Sequence, residues 1–224
     1  MNDKQLVALE AAKYVKDGML VGLGTGSTAN YFIDELARLQ HENGLKITTV
    51  ASSTISAQRA QSLNLPIVAL EHISQIDLYV DGADEITPDK TLLKGRGSDL
   101  VKEKLLAKAA NQFIAVADAS KLVSYIGQNF VIPIEVIPFA WQLAKRNLEQ
   151  IGGQGELRPN TAKDGFWVTS HGSYVLDMKF DPKVDAKTLN ALINNTPGVV
   201  EHGIFLGLAK SVLIAENGST RVLK

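Results

Sequence analysis

The run Gly22-Leu23-Gly24-Thr25-Gly26-Ser27-Thr28 closes the short apolar stretch Met19–Leu23 and opens a segment of helical periodicity. Three glycines permit tight backbone conformations, and Ser27 and Thr28 can cap the helix that follows. Backbone N–H groups at a helix N-terminus make an anion site, and phosphate is its usual occupant. The run is a poor dinucleotide fingerprint: Ser27 stands where the third glycine belongs, and the next strand ends in Ala51-Ser52-Ser53, not in an acidic residue. It is not a P-loop either, because no Gly-Lys-Ser/Thr follows. A phosphate cradle at Thr25, Gly26, Ser27 and Thr28 is the favoured reading. A ligand-free strand-to-helix turn is the alternative.

A second segment, Asp81-Gly82-Ala83-Asp84-Glu85, directly follows an apolar strand ending at Val80. Ligands of open α/β sheets sit beyond the carboxyl ends of strands. Three carboxylates there repel one another unless donors or a cation offset them, so a solvated acidic turn and a Mg²⁺ site are both readings of the spacing. A third segment, Lys94-Gly95-Arg96-Gly97-Ser98-Asp99, leads into a helix with Glu103 about one turn in, between Lys102 and Lys104. Helix composition alone favours Glu103 as an exposed surface acid. Lys121, in Asp118-Ala119-Ser120-Lys121, follows another strand and could reach the same sheet edge. A phosphate cradle, carboxylates and lysines on neighbouring strand ends suit proton transfer beside the carbonyl of a phosphorylated sugar. A carboxylate takes the proton, and a lysine or backbone N–H stabilises the enediolate oxygen.

The elements that must position these residues alternate. Helices are predicted over 3–16, from Ser27 to about Gln40, over Ser53–Leu63 and over Asp99–Ala110. Strands are predicted over Met19–Leu23, Lys46–Ala51, Pro66–Leu70, Asp77–Val80 and Phe113–Ala117. Strands alternating with helices imply a parallel sheet covered on both faces. The rhythm changes near residue 130. Strand Val131–Val136, helix Pro138–Ile151, strands Gly155–Arg158, Phe166–Ser170 and Tyr174–Phe180, helix Val184–Asn194 and strand Val199–Phe205 predict a small antiparallel α+β unit. Ser211–Ala215 and Thr220–Leu223, joined by Asn217-Gly218, predict a hairpin that returns to the first domain. The expected division is 1–128 plus 206–224 for an α/β domain and 129–205 for the smaller one.

Composition narrows the function classes. The chain has 224 residues, 23 basic and 24 acidic, for a net charge of −1. That balance argues against a nucleic-acid or membrane partner held by bulk charge. There is no cysteine, which excludes disulfides, thiolate nucleophiles and Cys-based metal centres. The four histidines lie far apart in the sequence, and no G-x-S-x-G elbow occurs. The N-terminus lacks an apolar signal-peptide core, so a cytoplasmic protein is expected.

These segments, together with Tyr79–Ile86 (Y-V-D-G-A-D-E-I), Lys94–Lys104 (K-G-R-G-S-D-L-V-K-E-K), Ala117–Lys121 (A-D-A-S-K), Pro133–Pro138 (P-I-E-V-I-P) and Pro197–Val200 (P-G-V-V), resemble ribose-5-phosphate isomerase, type A. They occur in family order and cover nearly the whole chain. The resemblance implies an aldose–ketose isomerase of the non-oxidative pentose phosphate pathway. Such an enzyme interconverts D-ribose 5-phosphate and D-ribulose 5-phosphate with no metal or organic cofactor. It puts the catalytic base on Glu103, sugar-hydroxyl contacts and ring opening on Asp81 and Asp84, and the oxyanion-stabilising lysine on Lys94. It puts phosphate contacts on Thr25–Thr28 and further substrate contacts on Gly82, Ala83, Gly95, Arg96, Gly97 and Lys121. It implies a Rossmann-like parallel-sheet domain with a smaller ferredoxin-like α+β domain, usually in a homodimer or homotetramer. The chain departs from the family where K-G-G-G-A is usual: Arg96 replaces the middle glycine, and Ser98 and Asp99 replace small apolar residues. Two further readings are a sugar-phosphate deaminase or CoA-transferase-like enzyme on a similar fold, and a non-catalytic sugar-phosphate sensor.

Overall fold

The computed structural model describes residues 2–97 and 99–223, so Ser98 lies outside the described residues. The chain divides into two compact units, one of residues 1–83, 102–121 and 207–224, the other of 84–101 and 122–206. Residues 84–101 and 122–128, expected in the first domain, group with the second. The reason is a small three-stranded sheet in which Leu92–Leu93 lies between Glu85–Ile86 and Ile204–Phe205.

The first unit is built on a six-stranded sheet in the order Ser219–Leu223, Ser211–Glu216, Ala110–Asp118, Ile76–Gly82, Leu20–Leu23, Thr48–Ala51. All neighbours pair parallel except the terminal hairpin, whose second strand runs antiparallel at the edge. The chain starts in Leu20–Leu23, moves to Thr48–Ala51 on one side, then crosses to Ile76–Gly82 on the other. That reversal is a topological switch point, where open sheets of this kind leave a crevice for ligands. Helix Ser27–Asn43 begins at this crevice. It buries Ala29, Phe32, Ile33 and Leu36, the i, i+3, i+4, i+7 stripe of an amphipathic helix, and stops at Gly44 in the left-handed conformation. Helix Asp3–Ala12 packs on it and on the strands Ala110–Asp118 and Ser211–Glu216. It is shorter than the predicted 3–16. The apolar core comprises Val7, Val21, Leu23, Phe32, Leu78, Val80, Ile114, Val116 and Leu213, among others.

The second unit holds an antiparallel sheet in the order Val199–His202, Ile132–Val136, Tyr174–Lys179, Gln154–Leu157. Helices Trp141–Gln150 and Ala186–Asn194 complete a β-α-β-β-α-β order, the ferredoxin-like arrangement. Leu148, Leu189 and Ile193 of these helices join Ile132, Ile134, Leu176 and Met178 in its core. Two predicted strands are absent. Phe166–Ser170 makes isolated bridges only at Phe166 and Val168, and Pro66–Leu70 makes one only at Ile67.

Candidate active site

In the first unit the predicted residues gather at the carboxyl ends of the parallel strands. The glycine spacing of the first motif is the negative image of the neighbouring strand. A Cβ on Gly24 would stand 2.2 Å from Asp81 Oδ1, and one on Gly22 would stand 2.7 Å from Tyr79 Cδ2. Gly26 has φ +99°, a conformation that L side chains rarely adopt, and it starts helix Ser27–Asn43 with no side-chain cap. The N–H groups of the first turn are therefore available to an anion. Lys4 Nζ lies 3.0 Å from Ser27 Oγ, which adds a cation to this helix end. Burial works against charge on Asp118. The Ser120 N–H and hydroxyl, with Lys121 and Lys4 nearby, nonetheless hold its carboxyl below the usual range. Lys121 is half-buried and ends the short 3-10 turn Ala119–Lys121 that follows the strand Ala110–Asp118.

Asp81 is fully buried. Its Oδ1 accepts from Thr25 N at 3.0 Å and from Gly82 N at 2.7 Å, and its Oδ2 accepts from the Tyr79 hydroxyl at 2.5 Å. The Thr25 hydroxyl, meanwhile, lies 2.9 Å from Ser52 Oγ and donates to Ser53 Oγ at 2.8 Å. Glu103, in the first turn of helix Leu100–Ala109, is only 4% exposed. The surface-acid reading is corrected by that burial. Burial is the main force raising the Tyr79 pKa well above its ordinary value, and the charges of Asp81 and Glu103 add to it. Both carboxylates therefore lie close to this one phenol. Gly82 and Ala83, half-buried, follow Asp81 at the strand end.

The second unit holds the remaining predicted residues. Asp84 N donates to Leu93 O at 2.8 Å, beside the Glu85–Leu93 pair, and Lys94 N donates to Gly203 O at 2.9 Å. Lys94 is 4% exposed, its ammonium 5.6 Å from the centroid of the Phe205 ring. Gly95 takes φ +98°, and a Cβ there would stand 2.8 Å from Leu100 Cδ2. Arg96 is exposed and needs no positive φ. Its guanidinium lies over the Phe130 ring, 4.0 Å from the centroid, and is not left to solvent. Its backbone N–H donates to Asp84 Oδ2 at 3.4 Å. A Cβ at Gly97 would meet open space.

Glu85, the third acid of its motif, has a different task. It is fully buried, and its carboxylate accepts from the backbone N–H groups of Gly127 (2.6 Å), Asn129 (2.6 Å) and Phe130 (3.0 Å). Among the described residues no group of three His, Asp or Glu side chains is placed to hold a metal ion.

Three contributors were not singled out from sequence: Lys4, Tyr79 and Arg158. Arg158 forms a two-pronged pair with Asp177, at 2.8 and 2.6 Å, and donates to the carbonyls of Gly95 (3.3 Å) and Arg96 (3.2 Å). It thereby holds the glycine-rich turn from within its own unit.

No helix among the described residues is long and apolar enough to cross a membrane. The sequence model of ribose 5-phosphate isomerase A (phosphoriboisomerase A) matches residues 48–219. The ribose-5-phosphate isomerase A of Thermosynechococcus vestitus is 43% identical over 214 residues, covering 95% of this chain and 91% of that protein. The solved ribose 5-phosphate isomerase A of Methanocaldococcus jannaschii superposes with a TM-score of 0.94 at 39% identity, over 99% of this chain and 98% of the other. A D-ribose-5-phosphate isomerase solved in complex with phospho-erythronic acid gives 0.95 at 37% identity, over 100% of both chains. With its fold, its motifs and these relatives in agreement over nearly its full length, the chain belongs to the ribose-5-phosphate isomerase A family and is an isomerase of ribose 5-phosphate.

Proposed function

We propose that the chain interconverts D-ribose 5-phosphate and D-ribulose 5-phosphate through an enediolate, with Glu103 as the base. The substrate phosphate docks on the bare helix end at Thr25–Thr28, where Lys4 and Lys121 supply positive charge. Asp81 and Asp84 engage the sugar hydroxyls and assist ring opening. Glu103 removes the proton from C2 of the open aldose. A C1–C2 double bond forms, and the carbonyl electrons pass to O1, which the Lys94 ammonium stabilises as negative charge grows. Transfer of the O2 proton to O1 as the C2 carbonyl forms, and return of the carbon proton from Glu103 to C1, complete the ketose. Gly82, Ala83, Gly95, Arg96 and Gly97 supply backbone around the sugar. The reaction places the chain in the non-oxidative pentose phosphate pathway, as a homodimer or homotetramer that uses no cofactor.

The observation that carries this reading is the burial of Glu103 in the first turn of helix Leu100–Ala109, its charge acting on the same Tyr79 phenol that donates to Asp81. A buried carboxylate has no reason to be there for solubility, and water-poor surroundings favour proton transfer to carbon. The relative solved with phospho-erythronic acid binds a phosphorylated acid on the same fold. The test is Glu103→Gln, which keeps shape but cannot take a proton. Loss of a general base costs about 10²–10⁴-fold in kcat, and exchange of the C2 hydrogen with solvent deuterium stops while ribose 5-phosphate still binds. Exchange at the parent rate would rule out Glu103 as the base.

A further inference from the structure

We infer that Tyr79 is a positioning residue for Asp81: its hydroxyl holds one oxygen of this carboxylate while the phosphate turn holds the other. Tyr79 and Asp81 are two apart on one strand, so their side chains share a face of the sheet. The phenol ring is fully buried, stacked on Phe113 at 5.0 Å between centroids, with Gly22 against its edge. It has no room to swing, and its hydroxyl is fixed on Asp81 Oδ2. The other oxygen, Oδ1, accepts from Thr25 N in the phosphate turn. The sequence of bonds Tyr79–Asp81–Thr25 therefore joins the group that engages the sugar to the turn that engages the phosphate. Two negative charges near the phenol and its burial keep it protonated, so it always donates.

The inference rests on Asp81 acting on the sugar. The experiment measures kcat, KM for ribose 5-phosphate and the inhibition constant of inorganic phosphate for Tyr79→Phe, Asp81→Asn and the double variant. Misplacing a reacting group by about 1 Å costs up to about 10²-fold. The expected result for Tyr79→Phe is a fall in kcat of about 10- to 100-fold, with phosphate inhibition within about threefold of the parent. The double variant is expected to be no more than about threefold slower than Asp81→Asn, because Tyr79 acts only through Asp81. A Tyr79→Phe kcat within threefold of the parent, or losses that multiply in the double variant, overturns the inference. If Asp81→Asn alone stays within threefold, the role given to Asp81 falls first and the inference falls with it. Should Tyr79→Phe not fold, 4-aminophenylalanine at position 79 keeps the shape of the ring with a weaker donor at the same place. A kcat loss of about threefold or more then supports the positioning role, and an unchanged kcat overturns it.

Discussion

Glu85→Gln separates the acid that builds the fold from the acids proposed to handle substrate. In the parent, Oε1 accepts from Asn129 and Phe130, and Oε2 accepts from Gly127. Glutamine offers one oxygen and one NH₂. In its better orientation the oxygen keeps the two bonds at Asn129 and Phe130, and the NH₂ faces the Gly127 N–H, donor against donor. One charge-assisted bond worth about 1.5–3 kcal/mol is lost, and a buried donor left unpaired costs about 1–3 kcal/mol. The two remaining bonds weaken as the acceptor loses its charge. Because these terms overlap, the sum comes to about 3 kcal/mol. At about 2–4 °C per kcal/mol for a chain of this size, Tm falls by about 6–12 °C. The assay is thermal unfolding, with urea unfolding as a check that the midpoint moves at constant slope. The kcat of the folded variant at 20 °C stays within about threefold, because Glu85 has no part in the proposed proton transfers. A Tm drop under about 2 °C would refute the three-donor account, and a 100-fold loss of kcat would refute the division of labour.

Lys4→Ala removes the ammonium beside Ser27; KM and the inhibition constant of inorganic phosphate rise together by about tenfold, one charge-assisted contact, while kcat stays within threefold. Equal phosphate inhibition in parent and variant would remove Lys4 from the cradle. Arg96→Gly loses the contact with Phe130, about 0.5–1 kcal/mol at an exposed site, and adds chain freedom worth about 0.4–1 kcal/mol. Unfolding free energy therefore drops by about 1–2 kcal/mol and kcat/KM changes by less than tenfold. A larger loss confined to KM would make Arg96 a substrate ligand.

Much of this architecture was legible because it follows simple periodicities. The alternation of apolar strands and helices announced the parallel sheet, and the turn clusters after residue 150 announced the antiparallel one. What escaped has definite causes. Glu85–Ile86 and Leu92–Leu93 are two residues long, too short for any period to register. Phe166–Ser170 alternates like a strand but finds bridges at only two positions. The turn at residues 22–28 stood out by its glycines, and the acid motif by its charge. Glu85 looked like a member of that acid group because its partners lie 42 to 45 residues away. Lys4 was one lysine among many on an N-terminal helix, 23 residues from the hydroxyl it meets. Tyr79 passed as one more aromatic in an apolar strand. The expected exposure of Glu103 failed because helix composition reports charge on its flanks, Lys102 and Lys104, and not which side of the helix is covered. Lys104, too, is only 4% exposed.

The two glycines that face the strand Ile76–Gly82 are not equally constrained, and the difference bears on how this motif can drift. At Gly22 the nearest obstacle is a side chain, the ring of Tyr79. Alanine there becomes acceptable once residue 79 shrinks, so the two positions are epistatic: each substitution is tolerated or rejected according to the state of the other. The permissive order runs through a chain that has already given up the aromatic ring, which makes the ring of Tyr79 the gatekeeper of residue 22. At Gly24 the obstacles include the Asp81 Cα at 2.6 Å, backbone that no exchange of side chains removes. That glycine has no escape route by compensation, and any lineage that keeps this strand pairing must keep it.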